Sequence, residues 1–328
     1  MLKHICIIIH FVGSLVIIIR SFINILLFYE SMKTKIIISN VLFKNIIFLI
    51  SILSGSFFYT QQFRFYYQLK FTPDSSQKEI KKTDFYILDY DIKSNESFFY
   101  SSNYIKNDSI NKKINSLMNV SNITVNLNDF KSSFIKDIMA KKNNTYSIYS
   151  TIDGEFYRYQ QEIENNWKLG TENLTVLEYN CKSADILWGG RNWKAYFTSE
   201  IPFHIGPYKF GELPGLITKI YDTENEFEFN LIGVTKVKEE VKFNFSKYIN
   251  VSEDKYINQY DSYLKDPVRK MKQGVIITDD GTKFVMAEGF SKSEIENEKK
   301  EIYSRLSKEN NCIEKDSRKC KVQNKILH

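Results

Sequence analysis

The sequence predicts an α+β, β-rich fold: a curved antiparallel sheet, half-barrel or bowl-like, with a few helices mostly in the C-terminal quarter. Three observations carry this expectation. Aromatic residues make up 15% of the chain, with 25 Phe and 21 Tyr among 328 residues, and such side chains suit a pleated, half-buried surface. Several runs alternate apolar and polar residues with a period of two and are separated by turn dipeptides. Helical signals, by contrast, gather after Ser252.

Two apolar stretches, 5–28 and 36–58, precede the first strand. The second follows Met32-Lys33-Thr34-Lys35 and closes on Ser54-Gly55-Ser56. A basic start, an apolar run and then small residues is signal-peptide order. Residues 32–61 are therefore read as a signal peptide cleaved near 59–61, and 1–31 as an upstream extension or an extra apolar segment. Two membrane helices are the competing reading. Residues 62–311 are read as a single β-rich domain and 312–328 as a basic tail.

Phe63, Phe65, Tyr67, Leu69 and Phe71 alternate with other residues and predict the buried face of a first strand. Pro73-Asp74-Ser75-Ser76 turns the chain toward a partner strand over 84–91, and 94–104 adds a third. Residues 108–118 offer a short polar helix with Asp108 as N-cap, against which a solvated connector is the preferred reading. The runs FIKDIMAKK, TYSIYST and EFYRYQQ follow, broken at Asn143-Asn144 and at the hairpin dipeptide Asp153-Gly154. After 173–179, Gly189-Gly190 turns 186–188 back onto 193–197. Residues 216–221 then pair with 226–238 around Thr223-Glu224-Asn225. In the last quarter Tyr256, Ile257, Tyr260, Tyr263 and Leu264 share a helix face that Pro267 ends, and Asp279-Asp280-Gly281 marks a turn. Ser291 with Glu294 makes a capping box for a helix over 294–308.

The segment 181–222 is the most strongly punctuated part of the chain, with three of the five prolines and five of the thirteen glycines. Proline fixes φ and glycine alone visits positive φ cheaply, so this stretch is specified by backbone shape more than by side-chain chemistry. The runs Cys181-Lys182-Ser183-Ala184, Gly190-Arg191-Asn192-Trp193-Lys194-Ala195-Tyr196-Phe197, Glu200-Ile201-Pro202, Gly206-Pro207-Tyr208-Lys209-Phe210 and Leu213-Pro214-Gly215-Leu216-Ile217 resemble the GLPGLI family. The match is densest over 181–236, with looser similarity over 63–313. It departs at Glu212, where the family's first glycine would fall, although Gly211 sits one position earlier. The resemblance implies exported envelope proteins, rich in β-structure, with no established activity. It marks Gly190, Pro202, Gly206, Pro207, Leu213, Pro214 and Gly215 as structural positions.

Arg191 and Trp193 beside the diglycine, and Tyr208, Lys209 and Phe210 between the two turns, are the candidate ligand contacts. Internal ion pairing for Arg191 and core packing for the aromatics are the competing readings. Glu200 and His204 are separated by Pro202, which argues against one helical face. Asp222 with Glu224, and Asp279 with Asp280, lie in turns where acidic residues are expected anyway. The chain has four histidines and neither a GxGxxG nor a GxxxxGK pattern. We therefore name no catalytic residue, no metal and no cofactor. Residues 1–62 carry a net charge of +4 of the total +6, so the body holds about +2 and lacks an electrostatic nucleic-acid footprint. Cys312 and Cys320 are close enough in sequence to bridge, with free thiols as the alternative, while Cys181 reads as a buried structural cysteine.

These readings converge on an exported cell-envelope protein, periplasmic, outer-membrane-associated or secreted. A non-catalytic binding or structural role is expected, with partners among envelope or outer-membrane components. A hydrolase acting on an envelope polysaccharide or peptide is the alternative. The expected mature chain begins between Tyr59 and Phe63, and N-terminal sequencing of protein from a native-like host checks it. Recovery of Met1 in a membrane fraction would refute export by cleavage.

Overall fold

The computed structural model describes residues 19–24, 62–117, 131–237, 241, 243–277, 283–285 and 289–327. The signal-peptide stretch, most of the upstream segment and the Asp279-Asp280-Gly281 turn lie outside the described residues. The chain divides into two compact units, Met1–Tyr59 and Thr60–His328. In the first, residues 19–24 are helical and exposed. Among the described residues no helix is long and apolar enough to cross a membrane.

The second unit is built on twelve strands: β1 (Gln62–Phe71), β2 (Lys82–Asp91), β3 (Glu96–Ser101), β4 (Ile138–Lys142), β5 (Thr145–Ile152), β6 (Glu155–Glu162), β7 (Lys168–Val176), β8 (Tyr179–Trp188), β9 (Arg191–Thr198), β10 (Leu216–Asp222), β11 (Phe227–Val237) and β12 (Ile249–Asn250). They form one open sheet in the order β12-β6-β5-β4-β3-β2-β1-β11-β10-β9-β8-β7. All neighbours are antiparallel except β12 against β6. The α+β, β-rich, curved-sheet expectation holds.

Alternation explains the layers. Phe65, Tyr67, Leu69 and Phe71 of β1 are buried on the concave face with Phe227, Phe229 and Leu231 of β11. A bulge between Tyr66 and Tyr67 adjusts that pairing. The hairpin dipeptides behave as their chemistry requires, with Asp153 and Gly154 at φ 52° and 72° and Gly189 and Gly190 at 62° and 71°. Phe99 of β3 and Trp188 of β8 lie six strands apart, about 28 Å in a flat sheet. Yet the Tyr208 ring touches both, with centroids at 6.5 Å and 6.1 Å. Curvature closes that distance.

Both sheet edges are managed. β7 bulges between Leu169 and Asn173, and Glu172 accepts hydrogen bonds there from Lys194 and Tyr196 of β9. The exposed strand is thereby bent over its neighbours rather than left flat. At the other edge β12 adds two residues beside β6. On the convex face Phe243 and Phe245 cover Ile87, Tyr100, Ile138, Ala140 and Tyr149, with Phe245 stacked 3.7 Å from Tyr149.

Helix α1 (Ser102–Leu117) corrects the connector reading of 108–118. It starts six residues before Asp108, directly out of β3. Asn103 and Asn107 hydrogen-bond the backbone at Ser132 and Lys131, and Tyr104 and Ile105 pack on the convex apolar cluster, with the Tyr104 ring against Tyr100 and Phe243. Helix α2 (Glu253–Lys265) is capped by Ser252 and buries Tyr256, Ile257 and Leu264, and Asp266 caps it just before Pro267. A short α3 (Arg269–Lys272) leads to the two-stranded β13 (Val275–Ile277) and β14 (Lys283–Val285). Helix α4 (Lys292–Ser307) carries the full Ser291–Glu294 capping box. Residues 312–327 belong to the same compact unit as the sheet: Ile313 is in the core, α5 (Arg318–Leu327) follows, and Cys312 is bonded to Cys320.

The loop 199–215 re-enters the sheet through Gly215, whose φ is 144°. A Cβ there would lie 2.0 Å from the Thr198 carbonyl oxygen. Strain and backbone collision act together, so Gly215→Val is expected to destabilise by at least about 3 kcal/mol in denaturant titration. An unchanged midpoint would contradict this account of the loop.

Candidate functional site

Arg191 begins β9 immediately after the diglycine turn, on the same concave face as Trp193, and both are almost fully buried. A buried guanidinium must satisfy five donors and one charge. Its Nη1 donates to Asp222 Oδ2 at 2.8 Å and Glu226 Oε2 at 2.7 Å. Its Nη2 donates to Asn311 Oδ1 at 2.6 Å and the Cys312 carbonyl at 2.7 Å, and Nε is shared between the Cys312 and Ile313 carbonyls. The guanidinium also lies 4.6 Å from the Phe227 ring centroid. Every donor is spent inside the molecule.

Asp222 serves two purposes. Its Oδ1 accepts the Glu226 and Phe227 amides, closing the β10–β11 turn, while Oδ2 takes Arg191. Burial alone would raise the Glu226 carboxyl, but Arg191, Lys78 and Lys315 bring it down to about 2. Both carboxylates are taken up by internal partners. Glu224, the other half of the turn pair, is exposed and meets Lys315.

The loop 199–215 lies over the concave face as a plug. Phe203 packs on Phe63 and Tyr90 near the sheet centre, whereas Phe210 packs among Trp167, Trp188 and Trp193. Between them a turn closed by the Phe210 amide on the Pro207 carbonyl holds Tyr208 at φ 58°. The Tyr208 hydroxyl donates to Glu314, and burial together with that carboxylate pushes its phenol well above the ordinary range. Lys209 is 4% exposed, and its Nζ donates to Glu314 at 2.6 Å and Gln161 at 2.8 Å. Of the five candidate contacts, Arg191, Trp193, Lys209 and Phe210 are buried and Tyr208 is half-buried. Of the structural positions, Pro202, Gly206, Pro207, Leu213, Pro214 and Gly215 shape this plug, whereas Gly190 belongs to the turn between β8 and β9. His204 is exposed on it.

The plug leaves a groove of about 570 Å³ beside it, lined by Gln161, Glu162, Glu164, Trp188, Glu253, Glu314 and Asp316 among others. Its floor is one hydrogen-bonded chain: Gln161 donates to Glu253 at 2.7 Å and accepts from Lys209, which in turn holds Glu314. Glu162, Glu164, Leu187 and Asp316 are exposed on it, so the surface combines carboxylates with an apolar lip. Sequence reasoning missed Glu226, Asn311 and Glu314 because they join Arg191 and Tyr208 only through long-range topology. The one signal that pointed that way was the nearby Cys312–Cys320 spacing. Among the described residues no group of three or more His, Cys, Asp or Glu could hold a metal ion.

Comparison with family models and with curated proteins yields no match. Among solved structures the chain is similar to PNGF-II in two crystal forms. In the P21 form the identity is 15% and the TM-score 0.43, covering 60% of this chain and 32% of that one. In the C2 form the identity is 15% and the TM-score 0.42, covering 61% and 32%. The chain thus spans about a third of the length of the structures it matches.

Two outcomes follow from the clamp. Arg191→Met leaves the buried Asp222 carboxylate without a counter-charge and Glu226 with only Lys78 and Lys315, and is expected to destabilise by about 3–5 kcal/mol in chemical denaturation. Because the Glu226 carboxyl falls from 4.5 unfolded to about 2 folded, its contribution is complete above pH 4.5 and is lost as the pH falls toward 2. Glu226→Gln should flatten the acid limb of stability against pH in that window. A wild-type slope in the variant would assign the limb to other groups.

Proposed function

We propose that this protein is an exported, non-catalytic module of the cell envelope, resembling the GLPGLI family, whose binding surface is the groove beside the central plug. One observation carries the reading: Arg191, Tyr208, Lys209 and Asp222, the polar side chains of the motif segment that meet the concave face, are all taken up by internal partners, and the groove lies open beside them. The segment itself is scaffold. Two further features support export. The Cys312–Cys320 disulfide suits an oxidising compartment, and residues 32–61 carry signal-peptide order. The glycine position of the resemblance also has a physical counterpart, because Glu212, standing where that glycine would be, adopts φ 69°.

A hydrolase acting on an envelope polysaccharide or peptide is the second reading, favoured by the carboxylates that share the groove. Against it, Glu314 accepts from an ammonium and a phenol, and Glu253 from an amide. Both carboxylates are thus already engaged by donors within the protein.

The two readings part in one experiment. Protein incubated with solubilised envelope polysaccharide and peptide fractions should retain material without releasing reducing ends or new amino termini, and Trp188→Ala should lower retention severalfold while the fold persists. Turnover abolished by Glu253→Gln would establish the hydrolase instead. Absence of both retention and turnover would leave the groove without a role and overturn the proposal.

A further inference from the structure

We propose that the Cys312–Cys320 disulfide is a reducible clasp that decides whether the strap 311–316 stays seated on the concave face. The inference is independent of what the groove binds. Residues 311–316 make a dense set of contacts: the Asn311 amide and side chain bond Pro73 and Thr72 carbonyls, the carbonyls of Cys312 and Ile313 accept Arg191, and Ile313 enters the core. Glu314 then covers Tyr208 and Lys209, and the Lys315 amide bonds the Gly189 carbonyl. A Cβ at Gly189 or Gly190 would press on Glu314 or on Lys315 and Asp316 at 3.2 Å, so the diglycine turn is also the seat of the strap. The disulfide spans eight positions and ties this strap to α5.

The two sulfurs are not equivalent. Cys312 is half-buried, whereas Cys320 is 4% exposed. An incoming thiolate therefore meets Cys312 first and Cys320 is the leaving group. Cys320 sits in the first turn of α5, with its amide on the Ser317 hydroxyl, and Asn324 Nδ2 donates to its sulfur at 3.5 Å. A helix N-terminus and a hydrogen-bond donor both favour thiolate, and a more stable thiolate leaves faster.

The exchange needs an external dithiol. One of its thiolates bonds to Cys312 Sγ as the Cys312–Cys320 bond breaks and the electron pair passes to Cys320 Sγ. The dithiol's second thiolate then attacks its partner sulfur, so the dithiol departs as a disulfide and Cys312 is released. The two protons the dithiol gave up end on Cys312 and Cys320. Cys181 takes no part, since it is buried and hydrogen-bonded to Thr218. Once the cross-link is gone the strap is held by the Arg191 clamp, by its two backbone bonds to Pro73 and Gly189 and by side-chain contacts, with no covalent tie to α5. Its local opening uncovers Lys209 and Tyr208 and withdraws Glu314 and Asp316 from the groove wall.

The test reduces the intact protein with dithiothreitol in native buffer and follows hydrogen exchange and thiol alkylation by mass spectrometry. Two thiols should become alkylatable, Cys181 should stay protected, and amide exchange over 208–211 and 311–317 should rise by roughly tenfold or more while β1 and β11 keep their protection. Asn324→Leu, which removes the donor to Cys320, should slow reduction severalfold. The paired variant Cys312→Ser, Cys320→Ser should reproduce the open exchange pattern and ignore dithiothreitol. Reduction that occurs only when the sheet unfolds, unchanged exchange in the reduced protein, or a paired variant unable to fold would each overturn the clasp and make the bond a structural staple.

Discussion

The buried charge of Arg191 is the constraint that the rest of the concave face accommodates. A guanidinium removed from water is tolerated only when its donors and charge are met, and here the partners come from two remote parts of the chain: the β10–β11 hairpin, through Asp222 and Glu226, and the strap after α4. Because Asp222 uses its second oxygen to close that turn, the hairpin geometry and the clamp are one object. Glu226 carries a second role of the same kind, pairing with Lys78 outside the clamp as well as with Arg191 inside it. Such a cluster adds little net stability over a well-packed apolar core. What it enforces is registration, since any displacement of the strap leaves charge uncompensated.

Curvature and plug are a second, apolar constraint. A sheet of twelve strands with aromatic residues on its inner face cannot stay flat and dry at once. The inner residues of β1 and β11 are large, and the loop 199–215 brings Phe203, Tyr208 and Phe210 to fill what curvature leaves. Prolines and glycines concentrate in that loop because it must fold back over the sheet without regular pairing. The one isolated bridge within it, Ile205 to Gly211, shows how little ladder is available. Its backbone groups are met instead by neighbours such as Trp167, whose indole donates to the Gly211 carbonyl.

What could be read from the sequence follows from the same physics. Period-two alternation in 63–71 and the turn pairs Asp153-Gly154 and Gly189-Gly190 are local signals, and the strands they specify lie where expected. Ser252 and the Ser291–Glu294 box are likewise local, and both caps form. Helix α1 was not legible because its partners are remote: Asn103 and Asn107 reach the segment 131–132, about 25–30 residues on, and Tyr104 and Ile105 pack on an apolar cluster completed by Phe243, more than a hundred residues on. The candidate contacts were legible as a group but not as an environment. Arg191, Lys209 and Tyr208 look alike as exposed hooks or as buried clamps until Glu226, Asn311 and Glu314 arrive from elsewhere. Sequence spacing carries no information about which of those arrives.

Glu212 shows how a local violation is absorbed by such a network. At φ 69° a non-glycine residue costs roughly 1 kcal/mol or more, and a glycine there would be unstrained. The side chain returns part of that cost, since its Oε2 accepts the Asn165 amide at 3.1 Å and its Oε1 faces Lys141 at 3.6 Å. Lys141 needs that neighbour, because burial lowers its pKa and Glu212 is the carboxylate that opposes the shift. Gly211 is confined as well, as a Cβ there would meet the Lys141 ammonium at 2.8 Å and the His204 carbonyl oxygen at 3.1 Å. Gly211 and the glutamate in the strained position next to it both meet Lys141. One leaves space beside the lysine and the other supplies its counter-charge.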